Sequence, residues 1–220
     1  MNLLRRFVAE FIGTAFLLAI VVGSGIMGVN LSQGNDAIAL LGNTIATAAG
    51  LVFLILSFGA ISGAHFNPVV TILGRLSFKE TVVYLLAQIC GAIFGVGVAN
   101  VMFELPTLFA STKIRTGYAQ YLSEFVATFG LIMVIKLGSK YHTKLVPFMV
   151  AAYITAAYWF TSSTSFANPA VTIARSMSDT FAGIRPTDIV PFIIAQLLGA
   201  LTAAVIFDWL IKTDKITQEI

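Results

Sequence analysis

The chain carries one device twice. Asn67-Pro68-Val69-Val70-Thr71-Ile72 is answered by Asn168-Pro169-Ala170-Val171-Thr172-Ile173, each opening a short apolar stretch. Asn is a favoured helix N-cap, and Pro fits the first helical position, where its missing N–H has no partner to lose. Followed to about Ser77 and Asp179, each helix rises roughly 16–18 Å, about half of a bilayer's hydrocarbon core. Neither can span alone. Placed end to end, with their positive N-termini meeting near the membrane middle, the two span together.

The rest of the sequence fits a membrane setting. Of its 220 residues 58% are hydrophobic and 10% charged, with a mean hydropathy of +0.92, far from soluble-domain values. Long apolar runs without strand-type alternation predict an all-α membrane protein and exclude a barrel. Six full spans are expected: about Leu4 to Met27, Ile38 to Ala60, Thr81 to Phe103, Tyr118 to Leu137, Leu145 to Phe160 and Ile189 to Ile211. The half-helices follow the second and the fifth.

Two spans, a half-helix and a span therefore occur twice. Residues 1–220 read as a single transmembrane domain of two repeats, about 1–110 and 111–220. Glu10-Phe11-Ile12-Gly13-Thr14 echoes in Glu124-Phe125-Val126-Ala127-Thr128, and Ala87-Gln88 in Ala195-Gln196. Three spans per half make the halves run in opposite directions, an inverted repeat with two re-entrant half-helices.

Basic residues set the orientation. Arg5, Arg6, Arg75, Lys79, Lys136, Lys140, Lys144, Lys212 and Lys215 fall on one side, and Lys113, Arg115, Arg175 and Arg185 on the other. This places both termini in the cytoplasm, and the short loops point to a bacterial inner membrane. The net charge of +3 reports topology and gives no reason to invoke nucleic acid. The first span is too long for a cleaved signal peptide. The lone cysteine, Cys90, excludes an internal disulfide and a multi-cysteine metal site, and reads as a small core residue. Nothing implies a cofactor.

Ser62-Gly63-Ala64-His65-Phe66-Asn67-Pro68-Val69 and Asn168-Pro169-Ala170, with the paired Glu-Phe and Ala-Gln motifs and the six-span order, resemble the major intrinsic protein family of aquaporins and glycerol facilitators. The resemblance covers the whole chain. It implies the aquaporin-like fold, a pore in each subunit and a homotetramer.

In that pore Asn67 and Asn168 hold their side-chain oxygens on their own helices and leave their amide N–H groups free for a solute oxygen. The helix N-termini disfavour a cation or proton there. Carried over by offset from the two box asparagines, the family's outer constriction falls on Thr47, Ala156, Ser165 and Val171, with Thr155 the substitute for Ala156. Val171 departs from the family pattern, which usually has Arg. Losing a guanidinium removes a charge and a donor fork; with no aromatic or His at the other positions, a broad, uncharged mouth is expected. Arg175, one turn past Val171, is expected at the outer end of its half-helix, with a pore-lining role as the alternative.

The Asn-Pro-Ala-Val box and the residues after it resemble aquaporins found beside bacterial arsenic-resistance genes. That likeness implies passage of metalloid hydroxides such as arsenous acid, a neutral trihydroxide, with glycerol and water as further solutes. A water- or glycerol-selective channel is the alternative.

Glu10 and Glu124 inside apolar spans demand a reason. They serve either as a proton relay or as acceptors for backbone N–H groups of the irregular loops, and their symmetric placement favours loop support. His65 reads as a loop-fixing hydrogen bonder, with a pH gate as the alternative. Gln88 and Gln196 read as interhelical hydrogen bonders, and Tyr158, Trp159 and Trp209 as interfacial anchors. A proton-coupled transporter also has inverted repeats and broken helices, but needs a titratable group in the pathway. An intramembrane enzyme needs a nucleophile and base, or metal ligands; with His65 and His142 the only histidines, no such site assembles.

Overall fold

The computed structural model describes residues 1–212, so Lys215 lies outside the described residues. The elements are α1 (Leu3–Leu31), α2 (Asp36–Ser62), the short α3 (Pro68–Ile72), α4 (Phe78–Met102), α5 (Tyr118–Tyr141), α6 (Val146–Phe160), the short α7 (Pro169–Arg175) and α8 (Ile189–Leu210). Two long helices, a short one and a long one thus occur twice.

Local chemistry fixes the ends. Asn2 caps α1 by accepting the Arg5 N–H at 3.0 Å, and Asn35 caps α2 by accepting that of Ile38 at 3.1 Å. Ser77 and Glu80 form a reciprocal capping box that starts α4 three residues before the expected Thr81. Gly63, at φ 90°, ends α2 in the left-handed region.

One expectation about length needs correction. The half-helices stop early, at Ile72 and Arg175, where Gly74 N–H to Thr71 O at 3.0 Å and Ser176 N–H to Ile173 O at 3.3 Å close them with tighter 3-10-type bonds. Five helices among the described residues are long and apolar enough to cross a membrane. The fifth span, α6, has only 15 residues, about 22 Å of helix against a core of about 30 Å; a 3-10 turn, Thr143–Leu145, leads into it.

The helices pack where side chains are small. A Cβ on Gly91 would strike the Phe11 carbonyl, one on Gly95 the Ala15 carbonyl, and one on Gly199 the Phe125 carbonyl. These glycines bring α4 against α1, and α8 against α5, backbone to backbone. Leu18, Val22, Val96, Ile184 and Phe192 are fully buried in the main apolar cluster, while Phe94, Leu198 and Val205 face outward. Cys90 is exposed, not a core residue: it lies one position before Gly91, and that step turns it off the packed face of α4.

Between the halves, outside the long helices, the segment after α4 pairs with the segment after α7. Phe109 N–H donates to Met177 O at 3.1 Å, Ser111 N–H to Ser176 O at 2.9 Å, and Arg185 N–H to Lys113 O at 2.7 Å.

Gly91→Ala and Gly199→Ala are expected to lower stability by about 1–3 kcal/mol, since backbone must move to admit one methyl. Gly42→Ala, in a helical position with open space around it, is expected to stabilise by roughly 0.5–1 kcal/mol. Thermal unfolding in detergent measures all three.

Candidate functional site

Where the two short helices meet, the chain crosses the centre of the protein in non-helical form. Ala64 and Phe66 have φ of 50° and 48°, and Ser165 and Ala167 have 51° and 49°, a conformation costly for residues with a Cβ. Something must hold it.

The holders are Glu10 and Glu124, both 0% exposed. Glu10 accepts the N–H groups of His65 at 3.0 Å and Phe66 at 2.7 Å. Glu124 accepts those of Phe166 and Ala167, both at 2.9 Å. Gln88 Nε2 donates to Glu10 and to Thr71 Oγ1, each at 2.8 Å; Gln196 Nε2 donates to Glu124 at 2.6 Å and to Thr172 Oγ1 at 2.8 Å. Each carboxylate is thereby clamped between a re-entrant loop and the next long helix. Ser62 adds a hydroxyl bond to Glu10 at 2.6 Å. His65 Nδ1 meets Thr71 Oγ1 at 3.1 Å, beside the loop it helps fix.

The asparagines tie the halves together. Asn67 Oδ1 accepts the Val69 N–H at 3.1 Å and Asn168 Oδ1 that of Ala170 at 3.0 Å. Each amide also donates across: Asn67 Nδ2 to Ala167 O and Asn168 Nδ2 to Phe66 O, both at 2.8 Å. The expectation of entirely free amides is therefore corrected. One N–H of each is spent on the opposite loop, and the second remains for a solute.

A cavity of about 350 Å³ runs past both asparagines. Toward one end it meets Thr47, Ser165, Val171 and Arg175, toward the other Lys136 and Ser139. Thr47, Ser165 and Val171 are nearly buried and line it together. Ala156 does not: its side chain is exposed and faces away. Thr155 is no replacement, since its hydroxyl turns back onto the Ala151 carbonyl at 2.8 Å. The cavity face of α6 carries Ile154 and Tyr158, one turn apart. Counting back twelve residues from Asn168 lands between them, on the opposite face of α6. Tyr158, expected as an interfacial anchor, is 4% exposed and donates its hydroxyl to Thr47 Oγ1 at 3.3 Å. Trp159 and Trp209 are exposed.

Neither Glu10 nor Glu124 reaches the cavity, and among the described residues no three His, Cys, Asp or Glu side chains gather as metal ligands do. Arg175 is not an outward-facing helix end: it is 3% exposed and lines the cavity. Arg115 is also buried, giving Nε–H to Gly183 O at 2.8 Å and Nη1–H to Ser163 O at 2.9 Å. Burial, then the charges of Arg115 and Arg175, push the nearby Lys113 ammonium down to about 8.

Six helices around two half-helices that meet N-terminus to N-terminus beside a cavity lined by both asparagines have the architecture of a membrane channel. The major intrinsic protein family model matches residues 1–144 and 115–219. The chain belongs to that family, and it is a passive channel, not an enzyme. It is 54% identical to the aquaglyceroporin AqpS of Rhizobium meliloti (strain 1021), over 96% of this chain and 92% of that one. It is 30% identical to the probable aquaporin AqpM of Archaeoglobus fulgidus, over 96% and 99%. The solved aquaglyceroporin from Plasmodium falciparum superposes with a TM-score of 0.70 at 21% identity, covering 96% of this chain and 97% of that one.

Glu124→Gln is expected to cost about 2 kcal/mol or more, because an amide NH₂ then faces buried donors; melting in detergent reads it. Asp179 is expected to govern the outer loop pairing. The Thr112 backbone N–H, at 2.8 Å, holds its carboxyl below the ordinary value. With the folded value depressed, its contribution is present at neutral pH and lost as pH falls through that value. The Thr112 amide should lose exchange protection, relative to its intrinsic rate, in acid, and at all pH values in Asp179→Ala, which has no acceptor.

Proposed function

We propose that the channel conducts small uncharged hydroxylated solutes, with metalloid hydroxides such as arsenous acid the favoured cargo and glycerol and water also passing. The observation that carries this reading is the lining beside Val171: the linked hydroxyls of Thr47 and Tyr158 next to an apolar side chain, in the cavity that Asn67 and Asn168 also line. A neutral trihydroxide finds oxygen partners there and no charge at Val171 itself. Tyr158 in place of the small residue expected at Ala156 favours a second reading, a narrower glycerol-selective channel; AqpS, the relative described above, is named as an aquaglyceroporin.

Asn67 and Asn168 serve as the central solute-binding pair, Thr47, Tyr158, Ser165 and Val171 as the constriction, and Glu10, Glu124 and His65 as loop supports. One chain forms one pore of a single domain of inverted repeats. Four chains assemble as a homotetramer in a bacterial inner membrane with both termini cytoplasmic, as the excess of Arg and Lys on that side supports.

Flux into proteoliposomes of arsenous acid, glycerol and water, for wild type and Val171→Arg, tests the reading. Wild type is expected to conduct arsenous acid, and the variant to lose it by about tenfold while keeping water, a barrier difference typical of one charged obstruction. Fast water with arsenous acid no faster than in empty liposomes would overturn the metalloid cargo.

A further inference from the structure

We infer that Arg175 is the donor fork of this channel's outer mouth, a specificity-determining residue set one helical turn beyond Val171; this rests on the hydroxylated-solute reading above. Arg175 follows Val171 by four positions on α7, so the two side chains rise from the same face. Both line the cavity.

How the guanidinium is held makes the case. Its Nε–H donates to the Ala182 carbonyl, the sole side-chain hydrogen bond of Arg175 among the described residues. Its plane lies over the Phe166 ring, with Cζ 3.4 Å from the centroid, and Phe166 is in turn braced edge-on by Phe192 at 5.3 Å. The group is therefore anchored through Nε and one face. The two Nη nitrogens have no protein partner, yet they are not among the sealed, unpartnered atoms. They open onto the cavity and donate to whatever oxygen stands there.

Arg115 is the contrast. It also lies against Phe166, at 4.8 Å, but it spends Nε and one Nη on two loop carbonyls and does not line the cavity. Arg115 ties the loops; Arg175 presents donors.

Such a preorganised fork favours solutes with several oxygens over equally small ones with fewer. The test compares glycerol with 1,3-propanediol, which lacks one hydroxyl, in proteoliposomes corrected for empty-liposome leak. The ratio of the two permeabilities does not depend on how much protein incorporates. In Arg175→Leu the glycerol-to-propanediol ratio is expected to fall about fivefold, the scale of one lost hydrogen bond. In Arg175→Lys, which keeps the charge and a donor for Ala182 but has no fork, it should fall about twofold. An unchanged ratio in whichever variant incorporates overturns the assignment, including the case where both fluxes drop together, as a merely structural arginine would cause. Wild type that conducts neither solute sinks the channel reading and this inference with it.

Discussion

Everything in this fold depends on two buried carboxylates accepting backbone N–H groups. A chain that leaves helical form in the middle of a bilayer exposes donors that no water can satisfy, each costing several kcal/mol. Glu10 and Glu124 take two such donors each, and their charge makes those bonds stronger than amide–amide ones. The charges are tolerable because Gln88 and Gln196 donate to them as well. The left-handed turns at Ala64, Phe66, Ser165 and Ala167 persist because the glutamates over-determine them.

That arrangement lets the short helices be short. α3 has 5 residues and α7 has 7, too few to be stable alone. They stand because Asn-Pro preorganises their first turns, because Thr71 and Thr172 are held by the glutamines, and because each asparagine amide reaches the opposite loop. The cross-tie couples the halves: removing either asparagine removes a cap from one half and a carbonyl partner from the other. The cavity is thereby set on a rigid frame, lined by both asparagines.

How much of this was legible in the sequence follows from where the repeat reaches. The Asn-Pro boxes, the Glu-Phe echo and the Ala-Gln echo all lie at symmetric positions, and each contributes to the clamp the structure displays. Residues without a twin were harder. Tyr158 lies on α6, outside the box, so an offset counted from Asn168 landed on Ala156, on the wrong face of that helix; the Ile154–Tyr158 spacing was the available signal. Cys90 sat next to a packing glycine, and one residue of helix is enough to change faces. The early ends of α3 and α7 depend on tertiary closure by the following segment, which no local propensity encodes.

Arg175 was the hardest, because its surroundings come from three separate stretches: Phe166 in the re-entrant loop, Ala182 in the segment beyond α7, and Phe192 on α8. A guanidinium at 3% exposure is expensive to desolvate unless its donors are met. An aromatic face and one carbonyl meet part of that demand; the remaining N–H groups need oxygen from water or solute. The cavity end at Arg175 must therefore stay wet, and a solute that replaces that water best is one carrying several oxygens of its own. In the function proposed above, the apolar turn at Val171 lies beside a charged donor on the same helix face, and a solute rich in oxygens replaces the water that Arg175 holds better than an oxygen-poor one does.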